Sequence, residues 1–117
     1  MAVIAATVQT PDLISHLLRY DTYPGTTRSV WRLMPLGWRD LRWTLEEVPV
    51  SSLPDVVPES DIDVRRYAAS AENGSPFPAL IVHATSWGSD VLDGHHRLAA
   101  ARLLGQKNIL AYVGRQP

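Results

Sequence analysis

The chain has 117 residues, of which 45% are hydrophobic and 20% charged, and its formal net charge is -1. These values predict a single soluble globular domain and argue against a protein that binds nucleic acid through a strongly basic surface. The sequence contains no cysteine, which excludes disulfides and thiolate metal sites and is compatible with the cytoplasm, the location we expect. Residues 1–6 are apolar but have no basic segment before them, so neither a signal peptide nor a membrane partner is expected.

Residues 1–43 are predicted to be an N-terminal helical extension, rich in tryptophan and arginine, that packs on a domain formed by residues 44–117. Thr10 and Pro11 make a favourable helix start, and an amphipathic pattern of leucine and isoleucine follows them. The alternating cations and aromatic rings of residues 26–43 suit the stacking of nucleobases. They suit equally the packing of tryptophans on a core beneath arginine stems, which is the interpretation we favour.

The middle of the chain is predicted to contain a strand and a helix. Residues 44–53 are rich in valine, and Pro49 indicates an edge strand because proline cannot donate to a central ladder. A proline-containing loop follows. A helix is then predicted to begin at Asp61 or Asp63 and to end at the Asn-Gly pair of residues 73–74.

The last third of the chain is predicted to form most of a sheet. Residues 79–84 are apolar throughout, as in a central strand with both faces covered, and residues 79–92 are predicted to form a hairpin. A final strand is expected at residues 109–113. Because strands and helices alternate while two strands are hairpin neighbours, we expect an α+β fold with a small mixed β-sheet flanked by helices.

Residues 90–105 are the most informative segment, and they predict a short strand that turns sharply into a helix. Asp93 or Gly94 suits the N-cap, and Gly105 suits the position just after the helix, where a left-handed residue is favoured. The alanines at positions 99–101 allow close approach to a sheet. The residues Gly-His-His-Arg, 94–97, therefore lie at the start of a buried helix.

This helix start is chemically suggestive because the first turn of a helix offers unpaired amides and about half a positive charge, which suits phosphate or carboxylate. Arg97 adds a planar cation that can fork onto phosphate oxygens. Successive helical side chains diverge by about 100°, so His95, His96 and Arg97 cannot all reach one point. The alternative is that Asp93 and Gly94 form only a turn and cap, with Arg97 paired to a local carboxylate.

Residues 92–101, followed by Gly105 and the strand at 109–113, resemble the signature of the ParB/sulfiredoxin superfamily, and the order of elements agrees over residues 44–114. The resemblance implies a ParB N-terminal-like fold. It also implies that nucleotide phosphates bind at Gly94, His95, His96 and Arg97.

The sequence departs from each branch of that superfamily. His95 stands where sulfiredoxins carry their reactive cysteine, which excludes thiol-based repair. Few residues follow the last strand, so we expect no helix-turn-helix domain of the kind that reads DNA in chromosome-partitioning ParB proteins. A third branch phosphorylates free serine and needs an upstream glutamate. The candidates are Glu46, Glu47, Glu59 and Glu72, and the sequence does not assign that role to any one of them.

The leading hypothesis is a nucleotide-binding domain for a nucleoside triphosphate or diphosphate, with or without Mg²⁺. Whether it is an enzyme stays open. A reaction would be nucleotide hydrolysis or phosphoryl transfer, in which positioning and charge neutralisation do most of the work. His96 would then act as acid, base or phosphate donor, and Asp93 would orient the loop or a metal ion.

Two alternatives belong to other classes. A metal-dependent nuclease or DNA-associated protein would use Asp93, His95 and His96 around a divalent ion, although adjacent helical histidines diverge and give poor ligand geometry. A non-catalytic interaction module would use its tryptophan-rich segment to bind a partner or a second copy, which makes a homo-oligomer compatible with the sequence. Nucleic acid is a compatible partner that the net charge does not favour.

Overall fold

The computed structural model describes residues 8–20, 41–57, 61–72 and 79–117. In chain order, the elements are β1 (Val8–Gln9), α1 (Thr10–Tyr20), β2 (Arg42–Pro49), a 3-10 turn (Val50–Ser52), α2 (Asp61–Glu72), β3 (Leu80–Thr85), β4 (Gly88–Asp93), α3 (His95–Leu103) and β5 (Asn108–Arg115). Among these described elements, no helix is long and apolar enough to cross a bilayer.

The described strands form one five-stranded sheet in the order β1-β2-β5-β3-β4. β3 runs parallel to β5, whereas the pairs β1–β2, β2–β5 and β3–β4 are antiparallel. The chain leaves the β3–β4 hairpin through α3 and returns to the sheet on the other side of β3. A mixed sheet with three α-helices in the described residues confirms the predicted α+β fold.

Both faces of the sheet carry a core. On one face, Leu98 and Ala101 of α3 pack against Leu80 and Val82. On the other face, Leu13 and Leu17 of α1 belong to a cluster that also contains Trp43, Ile81 and Tyr112. Since successive strand residues point to opposite faces, β3 must be apolar on both sides. This explains the continuous hydrophobic run and confirms the predicted central strand and hairpin.

The edge position predicted for β2 is wrong, because β1 lies outside it. β1 pairs only with Arg42 and Trp43, however, so the remainder of β2 has a single partner strand among the described residues. Pro49 ends the strand opposite Asn108. No second described strand pairs with β2 at this position, so the absent N–H of Pro49 removes no hydrogen bond to such a strand.

The N-terminal helix is attached to the sheet through Trp43. The Trp43 indole N–H donates to the Thr10 hydroxyl at 2.7 Å, and both residues are fully buried. The indole ring also lies against Gly114, where an added Cβ would be 2.7 Å from ring carbons. Trp43 itself is therefore packed in the core. The other tryptophans and arginines of residues 26–40 lie outside the described residues, and the boundary at residue 43 stays a prediction.

Candidate functional site

The turn between β4 and α3 depends on Gly94. This residue has φ 104° and ψ 23° and is the N-cap of α3, and its carbonyl accepts the Leu98 N–H at 2.9 Å. A positive φ of this size is strained for any residue with a Cβ. Space is also limited, because an added Cβ would be 2.4 Å from Leu80 Cδ2. Of the two caps that the sequence allowed, Gly94 is the one observed.

The other end of α3 closes as predicted. Gly105 has φ 69°, the Gln106 N–H donates to Ala101 O at 2.9 Å, and the Gly105 N–H donates to Arg102 O at 3.1 Å. This pair of bonds is the Schellman arrangement, which satisfies carbonyls at a helix end. The helix thus has a defined start and end.

The first turn of α3 begins with backbone amides rather than with a capping side chain. Gly94 is buried and, having no side chain, makes no side-chain cap hydrogen bond to the first turn. The backbone amides of His95 and His96 lie at the positive end of the helix, and the His95 side chain is exposed. Backbone N–H groups and the helix dipole together favour negative charge at such a position.

Arg97 points inward. Its Nη1 donates to Ala79 O and its Nη2 donates to Asp93 Oδ2, both at 2.9 Å. The arginine and aspartate side chains are only 10% and 12% exposed. The pairing with a local carboxylate that the sequence left open is therefore present. A direct fork of the Arg97 guanidinium onto phosphate would require these bonds to break.

The two histidines have different surroundings. His95 Nε2 lies 2.9 Å from Val91 O, and because a carbonyl only accepts, this nitrogen carries a proton. His96 Nε2 is buried and has no hydrogen-bond partner among the described residues. Leaving a buried polar atom without a partner costs roughly 1–3 kcal/mol. A ligand atom that forms a hydrogen bond with His96 Nε2 would remove this cost.

The three residues of the nuclease hypothesis do not converge on one point. The Asp93 carboxylate bonds Arg97 and His95 Nε2 bonds a backbone carbonyl. The described residues contain no group of three or more histidine, cysteine, aspartate or glutamate side chains able to hold a metal ion. The geometry thus gives no support to metal binding by Asp93, His95 and His96.

Glu46, one of the glutamates considered above, has a structural role in the sheet. Arg115 donates to both of its carboxylate oxygens, and the Thr44 hydroxyl donates to one of them. The hydrogen bond from Arg115 lowers the pKa of Glu46 against the opposing effect of burial, and the same bond raises the pKa of Arg115. Glu59 lies outside the described residues, as does the side chain of Glu72.

Two features of the structure were missed from the sequence. The first is the Ala79 carbonyl as a partner of Arg97, for which residue types carry no signal. The second is Trp87, which is 96% exposed at the tip of the β3–β4 hairpin. A tryptophan among the turn residues 85–89 was a signal that could have been used, since exposed aromatic rings often mark contact surfaces.

These elements define a small α+β domain with a glycine turn at a helix start, and the fold is ParB/sulfiredoxin-like. The structure is similar to that of sulfiredoxin from Arabidopsis thaliana, with a TM-score of 0.54 and 17% identity over 63% of this chain and 86% of that one. It is also similar to a Pnob8-like ParB-N domain, with a TM-score of 0.52 and 21% identity.

The second match covers 66% of this chain but only 32% of the ParB-N chain, so our protein spans about a third of that structure's length. Neither the protein-family models nor the curated proteins match this sequence. At these identities the likeness establishes the fold alone. The predicted resemblance is confirmed at that level.

Proposed function

We propose that the chain is a nucleotide-binding domain in which phosphate groups bind at the start of α3. The observation that carries this proposal is the Gly94 turn, which presents the backbone amides of His95 and His96 without a side-chain cap. The ligand is a nucleoside diphosphate or triphosphate, with or without Mg²⁺. Arg97 lies against the turn that forms the site, and the cytoplasm is the compartment in which such a ligand is met.

The expected affinity is modest. A hydrogen bond to a charged acceptor contributes roughly 1.5–3 kcal/mol, and the helix dipole adds roughly 0.3–1 kcal/mol. Immobilising the ligand offsets part of this gain. We therefore expect a dissociation constant on the order of 0.1 mM, which corresponds to about -5.5 kcal/mol.

A reaction at this site would be nucleotide hydrolysis or phosphoryl transfer, in which held charges and positions do most of the work. His96 is the residue proposed for proton transfer, since its buried Nε2 has no partner among the described residues. Asp93 suits the orienting role better than that of a base, because its carboxylate already accepts a hydrogen bond from Arg97.

Calorimetric titration with ATP, CTP and ADP, with and without magnesium, tests the proposal. The native chain is compared with Arg97→Ala and with Arg115→Ala, which removes an arginine on β5 that is paired with Glu46. We expect heat from the native chain and from Arg115→Ala, and weaker binding by Arg97→Ala. Circular dichroism checks that each variant is folded. No heat with any nucleotide from the native chain would refute the proposal.

A second candidate, the non-catalytic interaction module, is favoured by Trp87. The ring is 96% exposed, while its turn is held by the Thr85 hydroxyl, which accepts the Trp87 N–H at 3.2 Å and donates to Gly88 O at 2.9 Å. Burying about 200 Å² of aromatic surface at about 25 cal/mol per Å² would contribute roughly 5 kcal/mol before the costs of association.

If the partner of the interaction module is a second copy of the chain, sedimentation at increasing protein concentration tests it. Trp87→Ser should then abolish an association that Leu18→Ser retains, because Leu18 is also an exposed apolar side chain. A native chain that stays monomeric over the whole range would exclude self-association through Trp87.

A further inference from the structure

A buried bridge joins three segments at the proposed site. Arg97, in the first turn of α3, donates to the carboxylate of Asp93 at the end of β4 and to the carbonyl of Ala79 just before β3. We name these three residues the arginine bridge. Both bonds are 2.9 Å long, and a planar guanidinium held by two acceptors has a fixed orientation.

The backbone of the turn rests directly on this bridge. A Cβ added to Gly94 would lie 3.2 Å from both Nε and Nη2 of Arg97. One side of Gly94 is therefore in contact with the guanidinium and with Leu80. The bridge supports the loop from within the protein, whereas the exposed His95 marks the solvent side of the same turn.

We infer that Arg97 is a positioning residue for the anion site. It sets the backbone of residues 94–96, and so the direction of their amides, without contacting phosphate itself. Asp93 is the counter-ion that holds Arg97 in place, and neither a general base nor a metal ligand. This inference rests on the proposed nucleotide site and changes the roles that the sequence predicted for Asp93 and Arg97.

Lysine at position 97 provides the sharpest test, because it keeps the charge but cannot hold two acceptors in one plane. Arg102→Lys is the matched control: Arg102 also lies on α3 and donates to two backbone carbonyls, Leu53 O at 3.0 Å and Pro54 O at 2.9 Å. ADP and ATP are titrated into each folded protein at several concentrations of KCl.

We expect Arg97→Lys to weaken ADP and ATP by the same factor, about tenfold, which is usual for groups that orient ligating atoms. The salt dependence of log Kd should not change, because no ionic contact to the ligand is altered. Arg102→Lys should bind both nucleotides within about twofold of the native chain, since it leaves the turn intact.

Three results would overturn the inference. A shallower salt dependence, with a larger loss for ATP than for ADP, would mean that Arg97 contacts phosphate. An unchanged affinity would mean that the bridge serves stability alone. Failure of the native chain to bind either nucleotide would remove the proposed function and the inference together, whereas the first two results leave the proposed function standing.

Asp93→Asn replaces Arg97→Lys if the lysine variant does not fold. It keeps the guanidinium but removes the charged acceptor that holds it. An equal loss of affinity for ADP and ATP in this variant would support the positioning role of Arg97. Tighter binding with a steeper salt dependence would show a released guanidinium that reaches phosphate, and would overturn the inference.

Discussion

Replacing Gly94 by alanine is the most direct test of the turn on which the site depends. Two effects act together at this position. The backbone has φ 104°, which a residue with a Cβ adopts only under strain, and the new methyl group would meet Leu80 Cδ2 at 2.4 Å. Gly105→Ala provides a control with one effect only, because that glycine also has a positive φ, 69°, but an added Cβ meets nothing within 4 Å.

The free energies of unfolding of the two variants should therefore differ by the cost of the clash between the new methyl group and Leu80. A left-handed backbone costs an alanine roughly 1–2 kcal/mol, and overpacking a core typically costs about 1–3 kcal/mol more. We expect Gly94→Ala to lower the free energy of unfolding by roughly 2–5 kcal/mol and Gly105→Ala by roughly 1–2 kcal/mol. A small domain with a total stability of about 5–15 kcal/mol would stay folded in most of this range.

Urea unfolding followed by circular dichroism measures both values. With a slope of about 1.5 kcal/mol per molar urea, the steric difference of about 1–3 kcal/mol should place the midpoint of Gly94→Ala about 0.7–2 M below that of Gly105→Ala. Equal midpoints would show that Leu80 moves aside without cost, and the tight contact between the turn and the core would then be refuted. The same two variants serve as a binding test, since only the change at Gly94 should disturb the proposed nucleotide site.

Three further predictions follow from buried and exposed contacts. Asp93→Asn should lower the free energy of unfolding by about 3 kcal/mol or more, because Arg97 loses its buried counter-ion. The control is Asp63→Asn, which breaks an exposed ion pair with Arg66 at 3.8 Å. It should lower the free energy of unfolding by under about 0.5 kcal/mol in the same urea assay. The lowered pKa of Glu46 adds stability that is present above its unfolded pKa and lost as pH falls through the lower folded value. Native protein should therefore lose stability more steeply than Glu46→Gln in acid, by less than about 1 kcal/mol because the pair is partly exposed; identical slopes would contradict this. Trp87→Phe should reduce the acrylamide-accessible emission and change stability by less than about 0.5 kcal/mol, and an unchanged quenching curve would mean that the ring is shielded.

Much of the fold could be predicted because local signals agreed with the tertiary arrangement. The continuous apolar run of β3 reflects cores on both sheet faces, and glycine at 94 and 105 marks both ends of α3. The position of β2 was missed because the two residues of β1 are too few to show a strand period. Pairing between segments far apart in sequence leaves no local trace.

The helix start that carries the candidate site was predictable in place, but the side-chain contacts around it were not. Residue types located the helix start and suggested an anion, because glycine and the helix dipole act locally. The direction of the Arg97 side chain depends on the Ala79 carbonyl, which is 18 residues away in sequence. A backbone acceptor has the same chemistry at every residue, so no pattern in the sequence could identify it.

The inward direction of Arg97 matters for what the turn can recognise. With that charge paired to Asp93, the positive character that remains at the helix start comes from the backbone amides and the dipole, worth about half a charge. Such a site discriminates weakly between anions of different charge and strongly between positions of the oxygen atoms, because hydrogen bonds are directional. The proposed domain should therefore prefer one arrangement of phosphate oxygens over another, and should distinguish ADP from inorganic phosphate more sharply than it distinguishes ADP from ATP. Inorganic phosphate added as a further ligand in the calorimetric titration checks this, and equal affinities for phosphate and ADP would show that the turn is only a general anion site.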